Sequence, residues 1–181
     1  MKHAFVTLVG APALGFALLA SAASRQFTAL DWVALLPEED YQALLSAPPI
    51  QHTGGDAGGA PAPLQGAASA LSFDEALYST KVRSEYDGQD VSLPGFIVPL
   101  EYDEDQEVTE FFLVPYFGAC IHVPPPPPNQ IVYVSFPEGI AVESIQEPFV
   151  VDGRLSTGIT SNDVALAAYR IEAAGVRLYE E

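Results

Sequence analysis

The chain has 181 residues, with 24 acidic side chains against 7 Lys and Arg and a formal charge of −17. That imbalance excludes nucleic acid as a partner, and an anionic lipid surface met through a basic patch; it leaves solubility and a raised local concentration of cations. The length suits one domain with a modest core once any targeting segment is removed.

Met1-Lys2-His3 is short and basic, Ala4 to Ala20 is apolar and uncharged, and Ser21-Ala22-Ala23 supplies small residues. This pattern predicts a secretory signal peptide over residues 1–23, with an uncleaved membrane anchor as the alternative. No cysteine sits at the cleavage point to accept a lipid. Residues 24–46 read as a short helical arm: Trp32, Leu35 and Leu36 precede Pro37, then Glu38, Glu39 and Asp40 open an amphipathic helix carrying Tyr41, Leu44 and Leu45. Residues 47–70 are dense in Pro, Gly and Ala and predict a flexible linker, in which His52 reads as a solvated side chain, with a transient metal ligand as the alternative.

Residues 71–181 form the predicted β domain. Gln89 to Leu100 follows the turn pair Asp87-Gly88 and reads as a strand, with Pro94 and Gly95 marking an edge or a bulge. Glu101 to Glu110 makes an acidic hairpin tip. Phe111 to Tyr116, Gln130 to Phe136, Phe149 to Leu155 and Ala168 to Tyr179 complete the strand set, the last with a turn at Gly175. Several short strands at close spacing imply a mainly β fold, specifically a small antiparallel β-barrel, OB-like and partly open. On this reading the arm before residue 71 is dispensable for folding.

The only cysteine lies in Gly118-Ala119-Cys120-Ile121-His122-Val123, which runs into Pro124 to Pro128 and then Asn129-Gln130. In an extended chain, side chains two apart share a face, so Cys120 and His122 project together, about 6 to 7 Å apart. Thiolate and imidazole form a ligand pair for zinc or copper, and zinc needs three or four ligands. The completing groups come from Glu101, from the Asp103, Glu104 and Asp105 cluster, from His52, from water or from a second chain. The bland alternative is a packed cysteine beside a hydrogen-bonded histidine. A cysteine hydrolase is disfavoured, because parallel side chains miss the roughly 3 Å contact a nucleophile and base require, so no enzyme activity is expected. Asp103, Asp105 and Glu107 imitate the start of a calcium loop without its glycine or its closing glutamate. The prolines read either as a stiff polyproline II wall beside the Cys/His pair or as a recognition segment for a partner.

The runs Gly95 to Glu101, Phe112 to Gln130 and Val151-x-Gly153-x-Leu155 with Ala168-Tyr169 closely resemble the bacterial exported proteins grouped as domain of unknown function 3299. The resemblance spans Leu71 to Tyr179. It implies a small periplasmic protein, often membrane-tethered, whose relatives are encoded near an ABC-type permease and its ATPase and in some cases are thought to handle zinc. Carried over by position, it marks Cys120 and His122 as metal ligands and Glu101, which closes the first run, as a third. The resulting expectation is a periplasmic zinc-binding accessory of an ABC-type transport system, with a homodimer sharing the metal site as one way to complete the ligand set. The alternative is a metal-free interaction module that docks through its Pro-rich rim.

Overall fold

The computed structural model describes residues 25–46, 72–119 and 125–180. The expected signal peptide over 1–23 and the linker over 47–70 lie outside those residues. Six strands follow in chain order: β1 (Thr28–Ala29), β2 (Asp90–Tyr102), β3 (Val108–Val114), β4 (Val132–Ile140), β5 (Pro148–Ser161) and β6 (Leu166–Leu178). Alternation is plainest in β2, where Val91, Leu93 and Ile97 point inward between half-buried neighbours. A pleated strand with one face on a core produces that period of two.

The pairing order is β2-β3-β4-β6-β5, and β5 pairs back onto β2, so five strands close into a barrel. Four of these pairings are antiparallel and one, β4 with β6, is parallel. The mainly β, OB-like barrel is therefore present, closed rather than partly open, and mixed rather than purely antiparallel. Closure depends on the length of β2: its first half pairs with β5 through Asp90 to Phe96, and its second half pairs with β3 from Phe96 onward. The parallel pair arises because β5 lies between β4 and β6 in sequence, which returns the chain to its earlier direction. β1 adds a short parallel pairing to β2 at Val91 and Ser92.

The Pro94-Gly95 signal marks the place where β2 changes partner. A Cβ at Gly95 would stand 2.8 Å from both Leu113 Cγ and the Val114 carbonyl, so only glycine allows β3 to approach there. The bulges of β2 lie further on, between Pro99 and Tyr102. No turn occurs at Gly175: β6 continues through it, with Gly153 opposite Ala173 and Asp152 opposite Gly175, which leaves Ala174 as the extra residue of a bulge. The close crossing falls instead at Gly153, whose added Cβ would meet the Glu172 carbonyl at 2.5 Å. Residues 72–77 are helical and Ser84–Tyr86 form a 3-10 turn, so strand periodicity begins near residue 90 rather than 71.

The main core fills the barrel with Val91, Leu93, Ile97, Phe111, Leu113, Val134, Val151, Leu155, Tyr169 and Ile171. Leu35, from the N-terminal arm, is fully buried among them. The arm contains a 3-10 turn at Trp32–Leu35, capped by Asp31, and the helix α1 (Glu38–Leu45), which starts after Pro37. It is tied down along its length: the Trp32 indole donates to the Pro94 carbonyl at 2.7 Å, and the Tyr169 hydroxyl donates to the Leu35 carbonyl at 2.8 Å. The arm is thus part of the β domain's core, which corrects the expectation that the fold starts at residue 71. Trp32, Leu35 and Leu36 carry no periodic mark of what they pack against.

Candidate functional site

A second apolar cluster sits on the outside of the barrel. Phe112, Val114, Ile131, Ala167 and Ala119 are buried there, with Phe96, Val98, Leu100 and Tyr133 packed around them. Phe112 and Val114 are the β3 residues that alternate with the inward Phe111 and Leu113, so both faces of β3 are covered. Beyond Val114 the chain turns at residues 115–119, with Gly118 at φ +78° and Ala119 fully buried. Cys120 and His122 lie outside the described residues, as does His52.

The chain returns through Pro125, exposed, and Pro126 and Pro127, both buried. Pro127 has φ −61° and ψ 154°, a polyproline II conformation, and Pro128–Gln130 form a 3-10 turn leading into β4. The two amides that end the motif fasten this turn to the arm. Asn129, fully buried, donates through Nδ2 to Asp40 Oδ2 at 2.9 Å and to the Lys81 carbonyl at 3.1 Å. Gln130 donates to the Trp32 carbonyl at 2.9 Å. Asn129 Oδ1 is buried without a hydrogen-bond partner.

These amides escape sequence reasoning because they look like the polar end of a loop. Asp40 escapes it because it stands third in a run of three acids that opens a helix; Glu38 and Glu39 are exposed while Asp40 is 5% exposed. Lys81 stands 4.0 Å from Asp40 and 2.5 Å from Glu39, and the Glu39 hydrogen bond holds its ammonium pKa above the usual value.

Glu101 is exposed near the end of β2, opposite Glu110 on β3, which in turn faces Ser135 on β4. One row along, Val98, Phe112, Tyr133 and Arg170 stand side by side on four strands. The Tyr133 hydroxyl donates to Glu110; burial first, and then that bond, push its pKa up to about 12. The Arg170 guanidinium lies 5.2 Å from the Tyr133 ring centroid. Asp103, in the hairpin between β2 and β3, spends Oδ1 on the backbone N–H groups of Asp105 and Glu107, both at 2.9 Å. That arrangement is a capped turn with Gln106 at φ 66°, as expected of a solvated hairpin tip.

Among the described residues no group of three His, Cys, Asp or Glu side chains converges as a metal site. Glu101, Asp103, Glu104 and Asp105 therefore do not form one between them. The electrostatic setting is one-sided: no Lys or Arg occurs between Arg83 and Arg154, a stretch with thirteen Asp and Glu. β2, β3, β4 and the loops joining them belong to that stretch.

The chain matches, over residues 32–178, the family described as protein of unknown function (DUF3299). A crystal structure of a DUF3299 family protein from Pseudomonas aeruginosa PAO1 superposes with a TM-score of 0.62 at 40% identity, covering 86% of this chain and 98% of that one. No protein of curated description matches. The matched span starts at Trp32 and so includes the arm that supplies Leu35 to the core, and the chain belongs to the DUF3299 family.

Proposed function

We propose that this is an exported, periplasmic protein that binds zinc through Cys120 and His122 and serves an ABC-type transport system by receiving or delivering the ion. One observation carries the reading. The only thiol of the chain and an imidazole two residues on fall between buried Ala119 and buried Pro126, inside a seventy-residue stretch that holds acids and no cation. Such a stretch concentrates divalent cations near a borderline-soft ligand pair. Leu100 packs against the outer cluster that contains Ala119, and Glu101 follows it in sequence. The periplasmic setting and the transporter rest on the composition of residues 1–23 and on the resemblance of the central motif.

Because thiol and imidazole must both lose protons to bind, affinity falls as pH drops through their titrations. Calorimetric titration of metal-free mature protein with zinc tests the reading. The expected result is one ion per chain, or one per two chains if a dimer shares the site, with binding lost in Cys120→Ser and in His122→Ala. Tight binding retained in both variants would move the metal elsewhere. Docking through a Pro-rich rim has less to work with, since Pro126 and Pro127 are buried.

A further inference from the structure

Beside the outer cluster an apolar cleft of about 90 Å³ opens between β2 and the turn after β3, lined by Phe96, Val98, Val114, Phe117 and Ile145 among others. Phe117 and Ile145 remain 41% and 49% exposed, and the Phe117 ring stands 6.3 Å from that of Phe96. Small-molecule sites run from roughly 300 Å³ upward; this cleft has room for one side chain of leucine or phenylalanine size. The charged residues nearest to its lining in sequence are all acidic. Glu143 and Glu147, both exposed, flank Ile145, and exposed Glu101 lies two residues beyond the lining Pro99. Of the cations on β5 and β6, Arg154 and Arg177 are matched by Asp90 and Asp152, and Arg170 lies over Tyr133.

We propose that this cleft is a docking site for a protein segment that presents one bulky apolar side chain between lysines or arginines. The apolar side chain leaves water in the cleft, and the flanking cations meet Glu101, Glu143 and Glu147. A segment without cations faces an uncompensated acidic rim, and one without the apolar side chain gains only screened attraction between exposed charges. The proposal goes beyond zinc binding and does not depend on it, so its test is run with chelator present and its failure leaves the metal reading untouched.

The test is an NMR titration of isotope-labelled mature protein with three blocked pentapeptides: Lys-Lys-Phe-Lys-Lys, Lys-Lys-Ser-Lys-Lys and Glu-Glu-Phe-Glu-Glu. The expected result is saturable shifts at the amides of Phe96, Val98 and Ile145 with the first peptide only. Affinity drops at least tenfold for the serine peptide and for the Ile145→Ser protein, whose altered side chain is half-exposed on a loop and outside both cores. A second variant, Phe117→Ser, gives the same loss from the other wall. Equal binding of the serine peptide, binding of the glutamate peptide, no binding at all, or unchanged affinity in folded Ile145→Ser protein each overturns the proposal.

Discussion

Tyr169 joins three parts of the chain at one oxygen. Its ring is fully buried in the barrel; its hydroxyl donates to the Leu35 carbonyl and accepts from the Arg83 amide at 2.6 Å. Tyr169→Phe leaves both backbone groups without that partner at a cost of about 1 to 3 kcal/mol. For a domain of this size each kcal/mol lowers Tm by roughly 2 to 4 °C, which a thermal melt at neutral pH reads directly. Burial pushes the Tyr169 pKa up to about 12, against an ordinary value of 10.0. The folded state therefore holds this proton more tightly than the unfolded chain. The resulting stabilisation is fully present below pH 10 and is lost as pH rises toward 12. Tyr133 is shifted in the same direction by burial and by Glu110. The wild-type melting temperature is expected to fall across this window, and that of Tyr169→Phe to fall less. Parallel slopes in the two proteins would show that Tyr169 does not contribute to the alkaline loss.

At the scale of elements, the N-terminal arm behaves as a wedge in the barrel rather than as an appendage. Leu35 enters the core, Trp32 donates to Pro94 of β2 and accepts from Gln130 of the proline turn, and Asn129 reaches Asp40 on α1. A protein beginning at residue 72 is expected to lose its cooperative melt, because removing Leu35 alone opens a cavity worth about 2 to 5 kcal/mol and leaves several buried polar groups unpaired. Cooperative unfolding of that fragment near the full-length Tm would show that the arm is dispensable. The strands were legible because β-branched and aromatic residues alternate in them, and α1 because Pro37 and three acids mark its start. The arm's destination was not legible, because which surface Trp32 and Leu35 cover depends on contacts more than sixty residues away. Gly175 misled for a different reason. Glycine marks turns and bulges alike, and only the pairing of β6 with β5 distinguishes them. For the candidate site, sequence nominated Glu101 as a metal ligand; the fold places it exposed near the end of β2, opposite Glu110. Sequence had no means of finding the Asn129 and Gln130 anchors, since two amides after a proline run carry no periodicity.

At the scale of the whole molecule, the strand order groups the segments that carry acids and no cations. The barrel places β2, β3 and β4 side by side, and the stretch of sequence that builds them has no lysine or arginine. Among the described residues, cations occur at Arg25 in the arm, at Lys81 and Arg83 ahead of β2, and on β5 and β6, where most are matched by acids. An acidic surface of this kind raises the local concentration of cations, which is the electrostatic setting that both proposals require. The zinc reading is tested most directly by X-ray absorption on the zinc-loaded mature protein. Zinc held by Cys120 and His122 gives a shell with a sulfur scatterer near 2.3 Å and nitrogen or oxygen near 2.0 to 2.2 Å, with the sulfur contribution gone in Cys120→Ser. A shell of oxygen and nitrogen alone in the wild-type protein, unchanged by that substitution, would contradict that reading.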